Sequence, residues 1–149
     1  MKRIIAAIML VSPVFGEEAF IVKREFFDAI RFVESTDGRY LGDQDGGRSH
    51  GPYQISQAYL QDANEYLGTS YTLRQVIDDD AVAVAVMCGY WNRYLPKDRE
   101  VTYELLARIH NGGPKGYEME STLPYWEKVK ERMDEIEGEK RKPGQGQEG

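Results

Sequence analysis

The stretch DAVAVAVMCGYWNRY, residues 80–94, decides the fold. Its alternating Ala and Val could form a buried strand. The pattern, however, continues through Trp91 to Tyr94 with no turn signal before Pro96, a length and continuity that favour a helix. Residues 81–88 leave no polar side for water, so this helix belongs at the centre of the domain. Asp80 is its expected N-cap.

Working outward from it, the periodicity stays mostly helical. Upstream, Thr72 and Gln75 have capping-box spacing ahead of a short helix, and Gln57–Leu67 is another candidate. Further back, Arg24–Ser35 places Phe27, Ile30 and Val33 on one stripe, as an amphipathic helix requires. Between these, residues 36–51 are glycine-rich and carry no apolar run beyond Tyr40-Leu41, which predicts loops or a short hairpin turning near Gly46-Gly47. Downstream, Thr102 caps a helix over 103–110, and Asn111-Gly112-Gly113-Pro114 stops it. Residues 125–136 form a last amphipathic helix, with Tyr125 and Trp126 packing it.

The 149 residues, with 19 Lys and Arg against 25 Asp and Glu and a single cysteine, fit one mainly α globular domain. The net charge of -6 lacks the basic excess of a nucleic-acid groove. One cysteine excludes an intrachain disulfide, and Cys88 reads as a small buried hydrophobe. Lys2 and Arg3 precede an apolar stretch over 4–15, then Gly16 and the acidic Glu17-Glu18. This reads as a secretory signal peptide over 1–16, too short to span a bilayer. A secreted or periplasmic chain, monomeric and not inserted in a membrane, is therefore expected. The domain then covers 17–137, and 138–149, GEKRKPGQGQEG, reads as a disordered tail.

Glu34 opens the chemistry. It follows Phe27 by seven residues, within about 20° of the same helix face. A carboxyl on an apolar stripe is pushed towards its neutral form, as a general acid requires. A glutamate bonding amides at a frayed helix end would show the same spacing, so both readings stand. Asp43 and Asp45 in the glycine-rich loop offer a second, solvated carboxylate, the contrast glycosidic cleavage uses. Asx-turns would place the same residues there. His50 and His110 make no metal site by themselves, no metal or cofactor is called for, and the Gly-x-Ser-x-Gly of a serine hydrolase is missing.

Glu34-Ser35, Asp45-Gly46, Gly51-Pro52-Tyr53-Gln54-Ile55, the segment ARIHNGGPKG over 107–116, and Ser121-Thr122-Leu123 followed by Tyr125-Trp126 resemble, in this order, the invertebrate-type lysozymes (destabilase family). The likeness covers about residues 24–130. It implies a lysozyme-like, mainly α fold with a short hairpin or glycine-rich loop beside the cleft. It also implies hydrolysis of the β-1,4 bond between N-acetylmuramic acid and N-acetylglucosamine in peptidoglycan. By position Glu34 matches the acid and Asp45 the second carboxylate, with Asp43 as the alternative. Gly51, Tyr53, Gln54, His110, Asn111 and Gly112 then surround the glycan. Gly51 allows close backbone approach, Tyr53 offers a ring face, and Gln54 and Asn111 offer amide pairs for N-acetyl groups. His110 bonds at a helix terminus near the cleft. Each also has a plainer reading as turn, core or helix stop.

The chain lacks the many half-cystines of animal members, which points to a bacterial protein. Its acidity would not steer it to anionic walls, so wall remodelling fits better than antibacterial attack. A lytic transglycosylase using Glu34 alone and a non-catalytic glycan-binding module are the alternatives.

Overall fold

The computed structural model describes residues 4–6, 18–38 and 48–142. In chain order they form β1 (Ile4–Ala6), β2 (Phe20–Val22), α1 (Arg24–Ser35), β3 (Ser49–His50), β4 (Ile55–Ser56), α2 (Gln57–Leu67), α3 (Leu73–Asp78), α4 (Asp80–Tyr94) and α5 (Tyr103–Gly112). Two 3₁₀ turns, Gly116–Glu118 and Glu120–Thr122, then lead into α6 (Leu123–Arg141).

The central stretch is a helix. Every residue of α4 from Ala83 to Trp91 is buried, and the helix packs against α2, α3, α5 and β1. Its indole end closes the core. Trp91 lies between Phe26 and Phe27, each ring centroid 5.8 Å away, and its Nε1 donates to Leu106 O at 2.9 Å. The second layer is α1 against α6, and α5 joins the layers by touching both α4 and α6.

Three boundaries differ from those the sequence suggests. The N-cap of α4 is Asp79, whose extended backbone lets its carboxylate accept from Ala81 N and Val82 N at 3.0 and 3.4 Å. Asp80 is already helical and is drawn aside by Arg24 and the Tyr53 hydroxyl at 2.9 and 2.6 Å. Helix α5 runs two residues beyond 110, because Gly113, with φ +84°, is where the backbone leaves the helix. Helix α6 starts earlier, with Pro124 in its first turn, and continues through 138–141, where Lys140 pairs with Glu25.

The β structure is slight. β3 and β4 pair antiparallel, His50 opposite Ile55, around a turn over residues 51–54. The hairpin expected near Gly46-Gly47, and with it Asp43 and Asp45, lies outside the described residues. β1, inside the stretch read as a leader, pairs in parallel with β2, and the Asn92 side chain holds both backbone groups of Ile4 at 2.7 and 3.2 Å. Among the described residues no helix is long and apolar enough to cross a membrane.

Candidate active site

A cleft of about 490 Å³ opens where the C-terminal ends of α1 and α5 meet the 51–54 turn and the start of α2. Its walls include Glu34, Gln54, Tyr59, Asp62, Tyr90, His110 and Asn111.

Glu34 reaches this cleft because α1 ends abruptly. Thr36 adopts the left-handed conformation, φ +50°, and its N–H returns to Phe32 O at 2.8 Å. Ser35, buried, then ties the helix end to the hairpin turn. Its Oγ donates to Pro52 O at 2.7 Å, accepts from Gly38 N at 2.8 Å, and lies 3.1 Å from Arg31 O. The Glu34 side chain is left 17% exposed, with Oε1 3.6 Å from His110 Nε2.

His110 is the hub of the site. Its Nε2 lies 3.0 Å from Tyr53 O and its Nδ1 3.0 Å from the Tyr59 hydroxyl. A carbonyl only accepts, so Nε2 carries the proton and donates, and Nδ1 accepts the Tyr59 O–H. Burial lowers the imidazole to about 4, against the smaller raising effect of the Tyr53 carbonyl. The ring is therefore neutral at working pH, and its approach to Glu34 is not an ion pair. Tyr59 stacks on Tyr90 with ring centroids 3.7 Å apart and planes at 9°. Burial, then the neighbouring Tyr94 and Asp62, push the Tyr90 phenol up to about 12. Burial, then Tyr90, Cys88 and Glu34, raise Tyr59 well above its ordinary value. Both are hydrogen-bonding phenols, not proton sources.

The structure brings Glu34, Gln54, His110 and Asn111 to one wall. Asn111 is exposed into the cleft. Gln54, at φ +51°, donates its side-chain amide to Gly51 O at 2.8 Å, lying along the turn it closes. Gly51, Tyr53 and Gly112 stand behind the wall. At Gly51, φ +75°, a Cβ would fall 3.2 Å from Ile77 Cγ1 and 3.3 Å from its Cα, so the glycine serves the turn's seating on α3. Tyr53 is 1% exposed, its hydroxyl bound to Asp80, and it presents to the site its carbonyl and not its ring face. Gly112 lets α5 pack on Thr122.

The segment 107–116 and Thr122 are likewise one structural unit. Arg108 binds Thr122 Oγ1, Glu104 and Met119 O at 2.9, 3.0 and 3.1 Å, and the Thr122 hydroxyl donates to Gly116 O at 2.7 Å. That clamp orients the end of α5 and hence His110 and Asn111.

Tyr59, Asp62 and Tyr90 are site groups that the sequence reading did not find. The available signal was chemical: a tyrosine on a packed face needs a polar partner for its hydroxyl. Among the described residues no cluster of three or more His, Cys, Asp or Glu could hold a metal ion.

No family model matches the chain. It is similar to a lysozyme of Magallana gigas, 33% identical over 132 residues, covering 87% of this chain and 93% of that protein. It is also similar to invertebrate-type lysozyme 6 of Caenorhabditis elegans, 33% identical over 98 residues, 59% of this chain and 70% of that protein. Among solved structures it resembles Meretrix lusoria lysozyme in complex with Aeromonas hydrophila PliI, with TM-score 0.63 and 27% identity over 74% of this chain and 89% of that one. With a mainly helical fold matching that structure and 33% identity over 93% and 70% of the lengths of these two relatives, the chain belongs to the invertebrate-type lysozymes.

Proposed function

We propose that the chain is a glycoside hydrolase that cleaves the β-1,4 bond between N-acetylmuramic acid and N-acetylglucosamine in peptidoglycan, with Glu34 as general acid. The observation that carries the role of Glu34 is its position: a mostly buried carboxyl on a cleft wall beside a neutral imidazole. Burial pushes a carboxyl towards the protonated form, which can deliver a proton to the leaving glycosidic oxygen. Asp45 is the second carboxylate in this scheme, as nucleophile or as base towards water, with Asp43 as the alternative. Gln54 and Asn111 hold N-acetyl groups.

Family membership supports the reaction, and cofactors have no part in it. The chain acts as a secreted or periplasmic monomer after cleavage behind Gly16. Its acidic balance and single cysteine suit remodelling of the wall by a bacterial protein.

The test is mass spectrometry of soluble products from purified peptidoglycan digested by wild type, Glu34→Gln and Asp45→Asn. Loss of a positioned general acid costs about 10²–10⁴-fold in rate, so Glu34→Gln should release almost nothing. Reducing ends lost in both variants support the two-carboxylate hydrolase. Unchanged digestion by Glu34→Gln overturns it, and 1,6-anhydro ends with an active Asp45→Asn convert it to a transglycosylase.

A further inference from the structure

The cleft wall carries a second carboxyl that the hydrolytic scheme leaves unused. Asp62 lies one turn after Tyr59 on α2, so the two side chains share a helix face. Tyr59 sends its hydroxyl to His110, on the Glu34 side of the cleft, and Asp62 lines the cleft one turn further along α2. Its side chain is 31% exposed and is held in place by the Tyr94 hydroxyl, which donates to Oδ2 at 2.7 Å. Among the described residues the ion-pair partner of Oδ1 is Arg93 Nη2 at 4.0 Å, beyond hydrogen-bonding range.

Arg93 does not neutralise this carboxylate. Its Nη1 donates to Glu65 Oε2 at 2.8 Å and to the Asp62 backbone carbonyl at 3.0 Å, so the close ion pair of the guanidinium is with Glu65. Arg93, Asp62 and Glu65 together keep a net negative charge, and of the three only Asp62 lines the cleft. The described lining holds no Lys or Arg, its imidazole is neutral, and Tyr59 and Tyr90 keep their protons.

We propose that Asp62 is a specificity residue of this cleft: it binds the ammonium of a glucosamine unit whose 2-amino group carries no acetyl, beyond the sugar at which the bond is cut. This rests on the cleft being the glycan site. An ammonium is a donor of opposite charge and meets what Oδ1 offers, whereas an N-acetyl group brings a single neutral N–H. A free carboxylate on the glycan is repelled by the same charge. The substrate class is therefore a partly de-N-acetylated strand. That class also gives an acidic protein a way to work on a wall, because removing acetyl groups uncovers cations on the strand that the negative charge of the protein attracts.

The experiment is calorimetric titration of Glu34→Gln, which lacks the other carboxyl of the described lining, in mildly acidic buffer where the amines are ammonium groups. The two probes are a glucosamine tetrasaccharide with free amino groups and its N-acetylated counterpart. The free-amine probe should bind about fivefold more tightly, the upper range for a partly exposed ion pair, and the preference should shrink as salt is raised. Adding Asp62→Asn, which keeps an acceptor oxygen for the Tyr94 hydroxyl, should abolish it. With Asp62 intact, the ¹³Cγ resonance of Asp62 should shift on adding the free-amine probe and stay in place with the acetylated one, a readout that does not depend on the second variant folding. Equal affinities in Glu34→Gln, a preference that survives Asp62→Asn, or an unmoved Asp62 resonance overturns the proposal. Failure of the hydrolytic reading shows separately, as unchanged digestion of peptidoglycan by Glu34→Gln.

Discussion

Replacing Ser35 with alanine should uncouple the end of α1 from the turn that forms the opposite lip of the site. Ser35 is 1% exposed, and its Oγ serves Pro52 O at 2.7 Å and Gly38 N at 2.8 Å. Both partners lose their bond when the hydroxyl is deleted. Pro52 and Gly38 are only partly covered, so water can reach them and each loss belongs at the low end of the cost for an unmet polar group. That sets the destabilisation at about 2 kcal/mol. In a domain of this size it corresponds to a fall in Tm of roughly 6–10 °C. Urea unfolding followed by tryptophan fluorescence measures it, and the midpoint should drop with the slope unchanged, since no more surface is exposed on unfolding. Activity measured below the transition should fall as well, because Glu34 is the neighbouring residue on the helix end that Ser35 anchors. A loss of less than about 0.5 kcal/mol, the range of an ordinary surface substitution, would show that the three-way bond contributes nothing to stability.

Two further predictions concern stability. His110 is held at about 4 in the folded protein against 6.5 when exposed, so the unfolded chain binds the extra proton between those values. Stability should be full above pH 6.5, decline as pH falls towards 4, and level off below. The total is about 3 kcal/mol, read as the difference between urea midpoints of wild type and His110→Gln across that window. Gly116→Ala should fold poorly or melt far below wild type, because its Cβ would sit 2.0 Å from the Arg108 carbonyl oxygen, a backbone atom that cannot step aside. An overpacking cost of about 3 kcal/mol or more is expected, and circular dichroism melting checks it.

What could be read from the sequence was set by how local the cause is. Arg24–Ser35 and Gln57–Leu67 occur at the expected bounds, because a clean apolar stripe in the first and a Ser56 cap with a left-handed Gly68 in the second are self-contained signals. The capping box of Thr72 and Gln75 forms for the same reason. Between Asp79 and Asp80, by contrast, the choice of cap is made by Arg24 and Tyr53, more than 25 residues away, and no window of sequence contains them. The position of Glu34 on the α1 stripe was legible from spacing. Its surroundings were not: His110 meets Tyr59 across 51 residues and Tyr53 across 57, and periodicity says nothing about which polar atoms converge. Gly51 and Gly112 were legible as necessary glycines, but whether they face the glycan or the scaffold depends on what packs behind them. Here that is Ile77 and Thr122.

The tautomer of His110 connects stability to catalysis. If the proton sat on Nδ1, the bare Nε2 lone pair would face the Tyr53 carbonyl, two acceptors 3.0 Å apart. The arrangement of α2, α5 and the hairpin turn therefore forces an N–H, and not a lone pair, onto the Glu34 side of the ring. A neutral ring 3.6 Å from Glu34 does not hold the carboxyl ionised beforehand. An imidazolium in the same place would pull Glu34 towards its charged form and remove the proton that the reaction needs. Keeping the ring neutral takes burial, and burial is the cause of the instability expected below pH 6.5. If Glu34 is the proposed acid, the molecule thus accepts a penalty in acid to keep that carboxyl usable near neutrality. With one cysteine, and so no intrachain disulfide, it meets that penalty through packing around Trp91 and the helix-end bonds of Ser35 and Thr122. Weakening those bonds should therefore narrow the pH range of activity from the acid side before it lowers the rate at the optimum.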